Sequence, residues 1–218
     1  MARDYKKLAQ QCVEAAKQGD ADAQNQLGVL YARGLGLRQD YALAAQWYYR
    51  AARQGNARAQ YNLGVLYAKG RGVLQDNGKA AQWYRRAAEQ DVALALNNLG
   101  VLYANGHGVP QDYSMAAQWY RKAVKRGAAR ALVNLGWLYA NGRGVPKHNI
   151  MAYALLSLSS TLDAPSGAAS DILALLGKKM TAQEIEAGQK LTRHPSHLLK
   201  ALDQYLTDHD ADKGKTRA

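Results

Sequence analysis

A Leu-Gly pair recurs at a constant interval of 36 residues, at Leu27-Gly28, Leu63-Gly64, Leu99-Gly100 and Leu135-Gly136, with no insertion or deletion between copies. A period of this length, kept in phase over four copies, restricts the chain to a repeat architecture built from one supersecondary unit. In the same register lie Tyr31, Tyr67, Tyr103 and Tyr139, then the pairs Gly34/Gly36, Gly70/Gly72, Gly106/Gly108 and Gly142/Gly144, then Trp47-Tyr48, Trp83-Tyr84 and Trp119-Tyr120. Composition carries the same mark: Phe is absent, whereas Tyr reaches 14 and Gly 20 among 218 residues, as copying one short pattern produces.

Within a unit, Ala23, Leu27, Leu30 and Tyr31 fall at i, i+4, i+7 and i+8, one face of a helix that ends at Gly34. Glycine at position 28 costs about 1 kcal/mol against alanine in a helix, so its recurrence predicts a neighbouring helix too close for a side chain. The G-x-G turn supplies backbone angles open chiefly to glycine. Asp40, Asp76 and Asp112 follow as N-cap residues of a second helix, which in the first unit runs from Asp40 to about Gln54. That helix carries Ala44, Tyr48 and Ala51 on one face, with Trp47 as a packing residue and Arg50 and Arg53 near its C-terminal end, where cations suit the helix dipole.

Such a pair cannot bury its apolar stripe alone. The predicted fold is therefore all-α, a right-handed α-solenoid of stacked helix-turn-helix repeats with a concave inner surface and helical caps at both ends. Asp4 aligns with Asp40, so residues 4–19 read as an N-terminal cap helix and residues 20–160 as the array. Beyond it Leu155-Leu156 replace Trp-Tyr and Pro165 breaks the chain; residues 161–208 read as C-terminal capping helices and 209–218 as a frayed tail. Thr181-Ala182-Gln183-Glu184 matches a capping box, and Pro195-Ser196 opens a last helix through Leu198, Leu199, Leu202, Tyr205 and Leu206.

The copies of A-x(3)-LG-x-LY-x-x-G-x-G-V…D…A-A-x-W-Y-R-x-A resemble the Sel-one-like repeat family, a relative of the tetratricopeptide repeat, strongly over residues 4 to about 160. Asp91 departs from the pattern, standing where Gly19, Gly55 and Gly127 end other units, and Gly78-Lys79 weakens the start of one second helix. The resemblance implies a non-catalytic adaptor of bacterial type that binds other proteins, with no cofactor.

First-helix positions left over from packing form a second stripe, at 22, 26, 29 and 33 of the first unit. Through the copies it reads Asp22/Arg58/Leu94/Arg130, Gln26/Asn62/Asn98/Asn134, Val29/Val65/Val101/Trp137 and Arg33/Lys69/Asn105/Asn141. Amides at Asn62, Asn98 and Asn134 can pair with the backbone of an extended peptide or, equally, orient the neighbouring unit. Arg58, Lys69 and Arg130 suit a carboxylate, and Trp137, which replaces three valines, suits an exposed contact.

The formal net charge of +12 lies wholly in residues 1–150; the remainder is balanced. An acidic protein or peptide is the expected partner. The alternatives are nucleic acid, stacked on tyrosines such as Tyr41, Tyr61 and Tyr113 taken as exposed, and one acidic enzyme held by a dedicated inhibitor or immunity protein. The basic residues do not recur at one fixed position in every unit, as a base-reading code needs. The G-x-G turns lie between helices and lack the Lys-Ser/Thr of a phosphate loop, and His194 and His197 have no partners for a zinc site. The lone Cys12 reads as a small buried hydrophobe without a base. No catalytic, cofactor or metal residue is expected. The N-terminus lacks the apolar core of an export signal, which predicts a cytoplasmic protein; a chain already relieved of its leader and working in the periplasm or outside the cell would read the same.

Overall fold

Helix boundaries in the computed structural model, which describes residues 2–162, 167–194 and 196–205, fall where the turn chemistry places them. Each first helix ends at a left-handed glycine, with φ of 68° at Gly34, 62° at Gly70, 69° at Gly106 and 64° at Gly142. Its N–H closes the last turn on the carbonyl of Leu30, Leu66, Leu102 or Leu138. Second helices open at Asp40, Asp76 and Asp112, whose carboxylates accept from the N–H of Leu43 at 2.9 Å, Lys79 at 2.8 Å and Met115 at 2.9 Å. Asp91 takes the left-handed angle, φ 61°, that Gly19, Gly55 and Gly127 take elsewhere, so the departure in sequence is absorbed without a change of path.

The chain forms two compact units, Met1–Gln111 and Asp112–Ala218. The first holds α1 (Ala2–Lys17), α2 (Ala21–Arg33), α3 (Tyr41–Arg53), α4 (Ala57–Lys69), α5 (Asn77–Glu89) and α6 (Ala93–Asn105). The second holds α7 (Tyr113–Lys125), α8 (Ala129–Asn141), α9 (Asn149–Leu162), α10 (Gly167–Gly177), α11 (Ala182–Arg193) and a helical segment over 196–205, called α12. Among the described residues there is no strand, and the fold is the all-α helical-repeat class.

In the first unit every helix packs on the next, from α1 through α6. Alanine makes the approach close: Ala44, Ala51, Ala59, Ala80 and Ala87 are wholly buried beside Leu27 and Leu63. The recurrent helical glycine has the predicted cause. A Cβ on Gly28 would stand 2.6 Å from the ring of Tyr48, and one on Gly64 would stand 2.7 Å from that of Tyr84. Burial pushes both phenol pKa values up to about 12. The second glycine of each turn rests against the backbone at the start of the preceding second helix, Gly72 on Tyr41 and Gly108 on Asn77. Gly36 meets Tyr5 in the same way, so α1 supports the first turn as α3 supports the next. Trp47 and Trp83 are half-buried against the two alanine-leucine clusters, as packing residues should be. Cys12 is buried in α1, its thiol pKa pushed up by desolvation.

In the second unit α7 packs on α8 and α8 on α9, and α9 also carries α10 and α11. Leu156 takes the place of the repeat tyrosine, its Cγ 2.9 Å from where a Cβ on Gly136 would lie. Gly188 of α11 does the same service for the ring of Tyr153, at 2.7 Å. Thr181 and Glu184 complete the predicted capping box. In α12, Leu198 and Leu202 are buried, the Arg121 guanidinium donates to the Leu202 carbonyl at 3.2 Å, and Lys125 pairs with Asp203 at 2.6 Å. Pro165, Pro195, Leu206 and the tail 209–218 lie outside the described residues.

Candidate partner-binding face

The stripe left over from packing starts from the helical period: residues four and seven apart on a first helix share a face, and the other face is spent on the core. In the first unit this places Arg58, Asn62 and Lys69 along α4 and Asn98 on α6; in the second it places Arg130, Asn134 and Trp137 along α8. Arg58, Lys69 and Arg130 are exposed and make no hydrogen bond or ion pair with any described residue. In each unit these long cations stand apart from the helix-stabilising ion pairs.

The amides behave differently. Asn62 donates from Nδ2 to Oδ1 of Asn25 on α2 at 3.1 Å, and Asn98 is hydrogen-bonded to the Tyr84 hydroxyl and accepts from Asn97 at 3.4 Å. Asn134 is also partnered. At Asn62 and Asn98 the amide spends hydrogen-bonding capacity on neighbouring helices, the orienting role left open from sequence.

Trp137 is half-buried. The Arg143 guanidinium lies 5.1 Å from its ring centroid, and Tyr113 stands 6.3 Å away on the other element of the pair. The tyrosines taken as exposed from sequence are not free platforms: Tyr41 is covered by Arg71 at 5.4 Å, Tyr113 by Arg143 at 5.2 Å, and Tyr61 packs on Tyr84 at 5.9 Å. For Tyr41 and Tyr113 the reason is geometric, since the middle residue of a G-x-G turn reaches back over the first residue of the preceding second helix.

Two features of this surface went unanticipated. Arg50, Arg86 and Lys122 sit over Trp47, Trp83 and Trp119 at 4.4, 4.6 and 4.7 Å, so part of the basic charge is tied to aromatic faces as well as to helix ends. The spacing W-x-x-R/K at the repeat period was the available signal. Gln24 and Gln60, both buried, donate to the carbonyls of Ala16 and Ala52 and accept from Gln54 and Gln90 at 2.8 and 2.9 Å. These amide clasps join successive pairs and were legible as Gln24/Gln60 and Gln54/Gln90, each in repeat register.

Helix pairs joined by left-handed glycine turns, packed through alanine and glycine and carrying an unspent polar stripe, define a helical-repeat scaffold. The chain belongs to the Sel1 repeat family, whose model matches residues 21–56, 57–92, 93–127 and 129–163. It is similar to the Sel1 repeat protein from Oxalobacter formigenes, with 40% identity over 72% of this chain and 64% of that one and a TM-score of 0.66. It is also similar to a protective antigen present in uropathogenic Escherichia coli strains displaying an SLR fold, with 28% identity over 92% of this chain and 50% of that one and a TM-score of 0.57. The chain thus spans 64% and 50% of the lengths of these two relatives. None of the curated proteins compared matches it. Sel1 repeats mediate protein–protein interaction and their proteins are generally non-catalytic scaffolds. No helix among the described residues is long and apolar enough to cross a membrane.

Proposed function

We propose that this chain is a non-catalytic adaptor that holds an acidic protein or extended peptide on the polar stripe of its first helices. The contact set is Arg58, Asn62, Lys69, Asn98, Arg130, Asn134 and Trp137. The observation that carries the reading is that Arg58, Lys69 and Arg130 have no hydrogen-bond or ion-pair partner among the described residues: such exposed cations attract carboxylates and steer their approach. Asn62 serves twice in this reading, holding Asn25 through Nδ2 and offering Oδ1 to a partner backbone. Nucleic acid is the weaker fit, because Tyr41, Tyr61 and Tyr113, the rings expected to stack on bases, lie against the protein's own cations or rings.

The test compares what the wild type and an Arg58→Glu/Lys69→Glu/Arg130→Glu variant capture from a nuclease-treated native lysate, with far-UV circular dichroism establishing that the variant is folded. One partner or a small set should be retained by the wild type and lost by the variant. Equal capture by both places the site elsewhere, and capture that returns only when nucleic acid is restored moves the assignment to nucleic-acid binding.

A further inference from the structure

Between the C-terminal half of α8 and α10 lies a pocket of about 190 Å³, lined by Trp137, Ala140, Asn141, Lys147, Asn149, Ile172, Leu175, Leu176 and Lys179. Its volume is below the roughly 300–1,000 Å³ of small-molecule and cofactor cavities, and it suits a side chain or two of a polypeptide. The floor is apolar: Trp137 and Ile172 are half-buried and Leu176 is 6% exposed, while Leu175 remains 58% exposed to water. An exposed leucine beside a half-covered tryptophan is apolar area that a partner would bury.

The rim is cationic. Lys147 and Lys179 are both exposed, no carboxylate lines the pocket, and neither ammonium makes an ion pair or hydrogen bond with any described residue. Arg143 adds a third positive charge over the outer side of Trp137. Asn149 contributes a carbonyl oxygen, Oδ1, that is shielded from water and finds no donor among the described residues. Buried polar atoms without partners are rare in folded proteins, and a rotation of this half-buried amide would present the oxygen to an incoming backbone N–H.

We infer that this pocket binds a polypeptide segment in which one apolar side chain is flanked by acidic residues. The apolar side chain enters between Trp137 and Leu175, and the flanking carboxylates meet Lys147 and Lys179. The Asn149 amide takes a backbone N–H of the same segment. Charge complementarity selects this occupant: a neutral apolar peptide would leave both ammonium groups unpaired, and a basic one would be repelled. The inference rests on the reading that the first-helix stripe engages polypeptide, and it places the anchor of that engagement at the end of α8.

The test uses capped synthetic pentapeptides and the indole N–H signals of the four tryptophans in the ¹⁵N spectrum of the full chain, with Trp137 assigned by its loss in Trp137→Phe. Acetyl-Gly-Asp-Leu-Asp-Gly-amide should shift the Trp137 signal saturably in the millimolar range. Its Asn-Leu-Asn and Asp-Gly-Asp counterparts should bind at least about tenfold more weakly, having lost the charge-assisted contacts or the apolar anchor. Lys147→Glu/Lys179→Glu should lose the acidic peptide and gain the Lys-Leu-Lys version, a charge swap that damage to the fold would not produce. Equal response to the acidic and neutral peptides, no saturable response, or shifts spread over all four indoles overturns the inference. So does a Trp137 shift produced by oligothymidylate and not by the acidic peptide. If these peptides fail while lysate partners are still lost on reversing Arg58, Lys69 and Arg130, the pocket assignment falls and the adaptor reading stands.

Discussion

Gly64→Ala puts the close approach of α4 and α5 to the test through the sign of a stability change. In an unobstructed helix the substitution is favourable by about 0.8–1.0 kcal/mol, because alanine has the lower conformational cost. Here the new Cβ would stand 2.7 Å from Cδ1 and Cε1 of Tyr84, about 1 Å inside the ~3.5–4.0 Å optimum for carbon contacts. The ring has nowhere to retreat: Tyr84 is 3% exposed and the Tyr61 ring stands 5.9 Å from it. Forcing a packed ring aside costs about 1–3 kcal/mol, so the net effect is a loss of about 1 kcal/mol. Gly177→Ala is the control, since its Cβ meets nothing within 4 Å and its backbone angle is not left-handed. Urea unfolding followed by far-UV circular dichroism reads both, with the midpoint lowered for Gly64→Ala and unchanged or raised for Gly177→Ala. A gain of about 0.5 kcal/mol or more for Gly64→Ala would refute the contact as the reason for the recurrent glycine.

Four further outcomes concern the turns, the helix caps and two titrating side chains. Gly55→Ala, at φ 91° with open space around it, should cost about 1 kcal/mol, whereas Gly72→Ala, at φ 68° and against the Tyr41 backbone, should lower the urea midpoint well below that of Gly55→Ala. Asp40→Ala removes the acceptor for the Leu43 N–H and should cost about 1 kcal/mol, while Asp40→Asn should leave thermal stability nearly unchanged. Desolvation holds the His148 pKa below its ordinary value, so unfolding takes up a proton; stability should fall as pH drops through the ordinary histidine range, and His148→Asn should flatten that limb. The Lys79 N–H bond holds the Asp76 carboxyl below its ordinary value, so its contribution is present above the ordinary aspartate pKa and lost as pH falls further, a loss that Asp76→Asn should reduce in an acid titration of the unfolding midpoint.

Much of the candidate face was legible because helical periodicity alone separates the packing stripe from the polar one. The places of Arg58, Lys69 and Arg130 on that stripe follow from the register of Leu63 and Leu135; that no carboxylate among the described residues reaches them does not. The asparagines were not decidable in that way. Asn62 is 37 residues from Asn25, and only the packing of α2, α3 and α4 in sequence brings their amides to 3.1 Å. Tyr41 and Tyr113 failed for the same reason, since the guanidinium groups that cover them come from turns 30 residues downstream.

By itself the sequence determined the repeat, the left-handed turns at Gly34, Gly70, Gly106 and Gly142, the acidic N-caps, and the demand for a close neighbour at Gly28 and Gly64. These are local or strictly periodic properties, fixed by backbone sterics and by the 3.6-residue turn of the helix. Tertiary structure alone decided which polar groups remain unspent. Whether a cation is free, an amide is clasped or a tryptophan borders a pocket depends on side chains from helices distant in sequence. The pocket at Trp137 exists because α10, which lacks the repeat signature, comes to lie beside α8 and sets Ile172, Leu175 and Lys179 opposite residues more than 30 positions earlier in the chain.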